Sequence, residues 1–173
     1  APSRGLGDVY KRQILQVQRA SVINNRQEYE VLGTDISCNL GSTNIVNLMA
    51  SPNFGKSVEV MTRALTFVTD KSDIDVVPSI QHGNRLAHTI GLGAMGLHAY
   101  LAKNQIEYGS PEALEFTSVY FMLLNYWTLV ASNKIAKERK VTFDNFENSK
   151  YADGSYFDTY LNQEFAPKNA RVK

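Results

Sequence analysis

One cysteine, Cys38, is all the thiol chemistry that 173 residues contain. An intrachain disulfide is therefore excluded, and so is a zinc site built on paired cysteines, since no C-x-x-C spacing occurs. Charge of one sign is equally scarce. Eighteen Lys and Arg face 17 Asp and Glu, with no long block of either, so nothing electrostatic points to nucleic acid or anionic lipid as a partner. No apolar run reaches the roughly 20 residues of a membrane-spanning helix; the longest, VYFMLLNYWTLVA from Val119 to Ala131, is interrupted by Asn125. The first residues, APSRGLGDVYKRQ, lack the apolar centre of an export signal. Internal repeats and low-complexity tracts are absent as well. These absences predict an intracellular protein and a cytoplasmic location.

What is present is a core's worth of apolar residues, 43% of the chain, enough for one ordinary domain. Residues Ile14 to Ile23 alternate imperfectly and predict a strand before the polar loop NNRQEYE. Ile36, Cys38 and Leu40 fall on one face of a period-two pattern and are followed by Asn44 to Met49, with Gly41 marking a bend or bulge between them; this is the clearest predicted strand. The turn SPNFGKS leads into a helix with Ser57 as N-cap and Val58, Met61, Leu65 and Val68 at helical spacing, ending near Asp70 to Asp73. DIDVVPSIQHGN reads as an irregular connection, because Pro78 disfavours helix at Val77. A short helix carrying Leu97, Tyr100 and Leu101 follows GLGAMG. Ser110 and Pro111 then open a long helix, with Glu112 and Glu115 in its first turn and KIAKERK in its last turns. From Pro111 to about Lys140 it spans roughly 45 Å. Phe116, Tyr120, Leu123, Leu124, Trp127 and Val130 share one face, but Phe121, Met122 and Leu129 make it apolar nearly all round, so it must be buried in something large. The tail YADGSYFDTYLNQEFAPKNARVK has no compact end signal, and the chain reads as cut rather than finished.

Few motifs here carry chemistry by themselves. GLGAMG fits G-x-G-x-x-G at Gly91, Gly93 and Gly96, but the acidic residue about 20 positions on, Glu112, opens a helix instead of ending a second strand. Close packing of a strand-to-helix turn explains the small residues better than a dinucleotide does. His82, His88 and His98 have no i, i+4 pair and suit polar or capping roles better than metal ligation. Asp70, Asp73 and Asp75 flank a helix end without a neighbouring base and read as a solvated loop. Taken alone, Cys38 is either a small hydrophobe in a strand or a redox thiol, and composition does not decide between them.

The wording of three segments adds to this. DISCNLGSTNI, VPSIQHGNRLAHTIGLGAMGLHAYLAK and YADGSYFDTYL, in this order and with a Trp-containing long helix between the last two, resemble the large catalytic subunit of class Ib ribonucleotide reductase. The likeness runs from Ile14 to the last residue. It implies an α/β fold, helix-rich with few strands, forming a partial segment of a ten-stranded α/β barrel. It further implies reduction of ribonucleoside diphosphates to deoxyribonucleotides by thiyl-radical chemistry with a redox-active cysteine pair. Cys38 matches one member of that pair, so its sulfur should line the barrel interior, with its mate upstream of this sequence. Two close thiols are needed because each turnover takes two electrons, and the resulting disulfide is reopened by thiol exchange.

In the family a motif Asn-Leu-Cys-x-Glu runs directly into residues like ILQVQ, which would place the radical cysteine at position 11 and its glutamate at 13. Here these are Lys11 and Gln13, which can neither form a thiyl radical nor exchange a proton as a carboxylate does. DVYKRQ resembles the translation of a transposon end used to tag DNA libraries, so residues 1–13 are expected to be a technical join and residues 14–173 the native fragment, inactive alone.

The resemblance implies no metal or cofactor in this segment. It implies a ribonucleoside diphosphate substrate, a radical-generating small subunit with a dimetal centre, a glutaredoxin-like or thioredoxin-like reductant, a homodimeric parent, and allosteric nucleotide effectors bound elsewhere in the parent. The alternative is a non-enzymatic helical interaction module built around the long helix, with Cys38 as core filling.

Overall fold

The computed structural model describes residues 21–23, 26–28, 35–72 and 74–161. They divide into two compact units, one drawn from residues 1–39 and 66–91 and the other from residues 40–65 and 92–173.

In the first unit, strands β1 (Ser21–Ile23) and β2 (Arg26–Glu28) form an antiparallel pair in which Ser21 faces Glu28 and Ile23 faces Arg26. The end of the strand predicted over Ile14 to Ile23 is thus present, and its residues 14–20 lie outside the described residues. The polar segment NNRQEYE is corrected from loop to strand at Arg26–Glu28; its sequence has no apolar alternation, and the pairing identifies the strand. Helix α3 (Pro78–Ala87) corrects the irregular connection expected there. Val77 does stay out of the helix, at φ −132° and ψ 81°, as the residue before proline should. Pro78 itself then occupies the first turn, where its missing N–H costs nothing. His88 ends this helix in the left-handed region, with φ 46°.

The second unit is organised around strands β3 (Asn39–Asn44) and β4 (Ile90–Met95), which pair in a two-stranded parallel sheet. A parallel pair requires a crossover, supplied here by α1 (Ile45–Met49), α2 (Phe54–Lys71) and α3. Residues Asn44 to Met49 are therefore corrected from strand to turn and helix. Asn44 accepts a hydrogen bond from the Asn47 amide, and Ile45 and Leu48, three apart, are both buried, which is the signature of a capped helical turn. Gly41 lies within β3, with the Leu65 side chain against it, and makes no bend.

Helix α2 begins three residues before the expected cap. Asn53, not Ser57, takes that role by accepting from the Lys56 amide at 2.8 Å. It ends at Lys71, as expected. β4 leads through Gly96, at φ 82°, into α4 (Leu97–Lys103); this positive φ is why the third glycine of GLGAMG stands there. Gly93 lies beside Ser42, whose Oγ is 3.3 Å from where a Cβ would sit, so the close-packing explanation of the small residues holds.

Helix α5 (Pro111–Arg139) is capped by Ser110, which accepts from the Ala113 amide, and is closed by Lys140 in the left-handed region. Ala113, Phe116, Tyr120, Leu124, Thr128, Ala131 and Ile135 form its buried stripe. Ile45, Leu48, Val58, Leu101 and Ile106 complete the core against it. The Tyr100 ring stacks on Phe116 at 4.4 Å and Phe54 meets Tyr120 edge-on at 5.9 Å. Among the described residues the cover over this helix is partial. Leu114 and Tyr126 are 62% and 54% exposed, and Phe121 and Leu123 also reach solvent. Single 3-10 turns at Phe146–Asn148 and Ser155–Phe157 precede the one-turn α6 (Asp158–Leu161). No helix among the described residues is long and apolar enough to cross a membrane.

Candidate functional site around Cys38

Cys38 sits one residue before β3, and its orientation follows from its two neighbours. The Ser37 hydroxyl donates to Asn84 Oδ1 at 3.0 Å. Asn39 Nδ2 donates to Thr69 Oγ1 at 2.9 Å, and the Asn39 amide reaches the Thr89 carbonyl at 3.4 Å. Successive side chains in extended chain point to opposite sides. With residues 37 and 39 tied toward α2 and α3, Cys38 faces the other way and is exposed.

This corrects one reading of the sequence. Cys38 does not fill a core, and Leu40, its neighbour in the period-two pattern, is 79% exposed. Thr43, on the alternate register, is buried. Partial desolvation of the Cys38 sulfur pushes its pKa above that of an ordinary thiol. The neutral thiol therefore predominates at neutral pH.

Asn84, which no motif or spacing singles out, is the hub behind the cysteine. It is 3% exposed, and its Nδ2 donates to the carbonyls of Thr69 at 3.1 Å and Ser72 at 3.3 Å. One carboxamide thereby joins the residue before Cys38 to the C-terminal turn of α2. A buried asparagine with its donors and acceptor engaged holds a geometry that an apolar residue cannot.

In the second unit, the Thr43 hydroxyl donates to the Gly93 carbonyl at 3.1 Å and is 3.2 Å from the Tyr120 hydroxyl. Burial raises the Tyr120 pKa, so the phenol keeps its proton and donates to Thr43. This bond ties the buried side of β3 to β4 and α5.

The remaining sequence candidates do not assemble into a site. His88 Nδ1 lies 3.4 Å from Asp70 Oδ1, and His98 leans against the Tyr108 ring at 6.0 Å. Asp73 lies outside the described residues, as do Lys11 and Gln13. Among the described residues, no three His, Cys, Asp or Glu side chains gather as metal ligands would.

Residues 13–172 match the family model described as ribonucleotide reductase, barrel domain. The chain is similar to a ribonucleoside-diphosphate reductase subunit alpha of Bacillus subtilis (strain 168), 43% identical over 160 residues, covering 92% of this chain and 23% of that protein. A subunit alpha of the same name from Mycoplasma pneumoniae is 46% identical over 165 residues, covering 93% of this chain and 23% of the relative. That of Chlamydia trachomatis serovar D is 34% identical over 121 residues, covering 68% and 12%. The chain thus spans less than a quarter of the length of these relatives.

Proposed function

Because this chain belongs to the ribonucleotide reductase barrel-domain family, we propose that it is a segment of a class Ib ribonucleoside-diphosphate reductase large subunit and that Cys38 is one of the two thiols that reduce the substrate. The observation that carries this reading is the exposed Cys38 thiol standing between Ser37 and Asn39, whose side chains are tied to α3 and α2. In an α/β barrel the helices lie outside, so the side turned away from them is the lumen, where a nucleotide would bind. A ten-stranded barrel completed by the rest of the subunit would enclose that side.

The chemistry asked of Cys38 is defined. In each turnover, two thiols lose two electrons and two protons and join as a disulfide. The C2′–O bond of the ribose breaks, one hydrogen goes to C2′, and the hydroxyl leaves as water. A radical on a separate cysteine, generated with the help of a dimetal small subunit, activates the 3′ position. A glutaredoxin-like or thioredoxin-like dithiol then reopens the disulfide by exchange. An elevated thiol pKa suits Cys38 to this role, since the reduced pair carries its protons to the reaction instead of losing them to solvent beforehand. The substrate would be a ribonucleoside diphosphate, and the location cytoplasmic.

The test is the Cys38→Ser variant of the full-length subunit encoded by the intact gene, assayed with its small subunit and a dithiol reductant. Multiple turnover should be lost while substrate binding persists. Unaltered multiple turnover would overturn the assignment.

A further inference from the structure

A redox thiol must meet both its partner sulfur and the substrate, and the residues that fix its direction are themselves open to assignment. Cys38 is exposed, so its aim depends on the backbone at residues 37 and 39. Each of these is tied separately: Ser37 to Asn84 at 3.0 Å, and Asn39 to Thr69 at 2.9 Å. The two ties converge, because Asn84 Nδ2 also donates to the carbonyl of Thr69 at 3.1 Å. A third bond from Asn84, to the Ser72 carbonyl, secures the arrangement at the end of α2.

We infer that Asn84 is a positioning residue for the Cys38 redox cycle, clamping the chain on both sides of the cysteine through Ser37 and through the Thr69–Asn39 bond. The clamp suits the reaction for a steric reason. Disulfide formation requires the two Cβ atoms to lie about 3.5–4.5 Å apart, so an ångström of drift at Cys38 decides whether the bond closes. Asn84 is well placed to limit such drift because it is buried at 3% exposure and uses both ends of its carboxamide.

This inference rests on the reductase assignment above, and the experiment separates the two. In the full-length subunit, Asn84→Ala and the milder Ser37→Ala are compared with the parent and with Cys38→Ser. The pre-reduced protein is allowed one turnover without external reductant, and the rate is expressed per folded site; KM and the midpoint potential of the Cys38 disulfide are measured alongside. Asn84→Ala should slow the single turnover about tenfold or more, the scale on which small misplacements act. KM should stay within about twofold and the midpoint potential should shift. Ser37→Ala, which leaves the Asn39–Thr69 tie in place, should show the same changes to a smaller degree. A merely structural Asn84 would lower the melting temperature while leaving rate per folded site and potential at the parent's values, and that result overturns the inference. If Asn84→Ala does not fold, parent-like rate and potential in Ser37→Ala overturn it instead. Sustained multiple turnover in Cys38→Ser would sink the reductase assignment itself and this inference with it.

Discussion

Trp127 stands so close to Gly55 that a Cβ on residue 55 would lie 2.6 Å from its indole Cδ2. Both belong to the second unit, where the indole packs against the core shared by α1, α4 and α5. Glycine is a poor helix former, costing about 1 kcal/mol relative to alanine, yet here it stands in the first turn of α2 because the tryptophan leaves no room for a methyl group. Gly55→Ala should therefore destabilise the protein by about 1–3 kcal/mol, the usual cost of overpacking, in spite of its better helix propensity. Thermal unfolding of the full-length subunit reads this directly. Combining it with Trp127→Leu should recover part of the loss, since residues in contact do not act additively. An unchanged or raised melting temperature in Gly55→Ala would show that the indole moves aside freely.

At the scale of elements, α2 and α5 are held along their solvent side by charge. Arg63 grips Glu138 with two bonds of 2.7 Å and also donates to Glu59 at 3.0 Å, while Lys134 reaches Glu59 at 3.2 Å. The bonds from Arg63 and then Lys134 hold the Glu59 carboxyl at about 2. The same arginine lowers Glu138. Both carboxylates have pKa values depressed on folding, so their contribution is present above the unfolded value of about 4.3 and is lost as pH falls toward about 2. Arg63→Met should flatten the fall in melting temperature over that acidic interval relative to the parent. At neutral pH its effect should be small and should shrink with salt, because exposed ion pairs are screened. An acid limb identical to the parent's would contradict the proposed role of Arg63.

The same elements show why some structure was legible in the sequence and some was not. The ends of α5 could be read because capping is local: Ser110 and Pro111 start the helix, and the basic last turns precede Lys140. Helix α3 could not, because what it buries is polar. Gly83 and Asn84 face inward, so PSIQHGNRLA shows no apolar stripe. Asn84 was missed for the same reason. Its importance lies in partners 12 to 47 positions away, and no spacing rule reaches that far. Residues Asn44 to Met49 are ambiguous in sequence because a short apolar run fits strand and helix alike, and the cap at Asn44 decides the matter. Cys38 is singled out in the sequence by the motif around it, but its surroundings depend on Ser37 and Asn39, whose tethers only the fold reveals.

For the whole molecule, the distribution of exposed apolar residues bears on whether this segment can stand alone. Leu114, Phe121 and Tyr126 on α5 reach solvent, Leu40 is exposed on β3, and Val76 is 84% exposed. The parallel pair β3–β4 has no further strand among the described residues, although parallel strands are ordinarily covered on both faces and a two-stranded sheet is marginal in water. Relatives more than four times as long in sequence have ample chain to cover such surfaces. Residues 14–173 produced alone should therefore bind a hydrophobic dye, self-associate, and unfold without a sharp cooperative transition. Sedimentation, dye fluorescence and thermal circular dichroism on that segment make the test. The core around Tyr120 gives the opposite outcome a concrete form: if its packing suffices, the segment will sediment as a monomer, exclude the dye and melt in one cooperative step. That result would show the exposed sides of α5 and β3 to be a finished surface, and it would remove the physical ground for regarding the chain as part of a larger barrel.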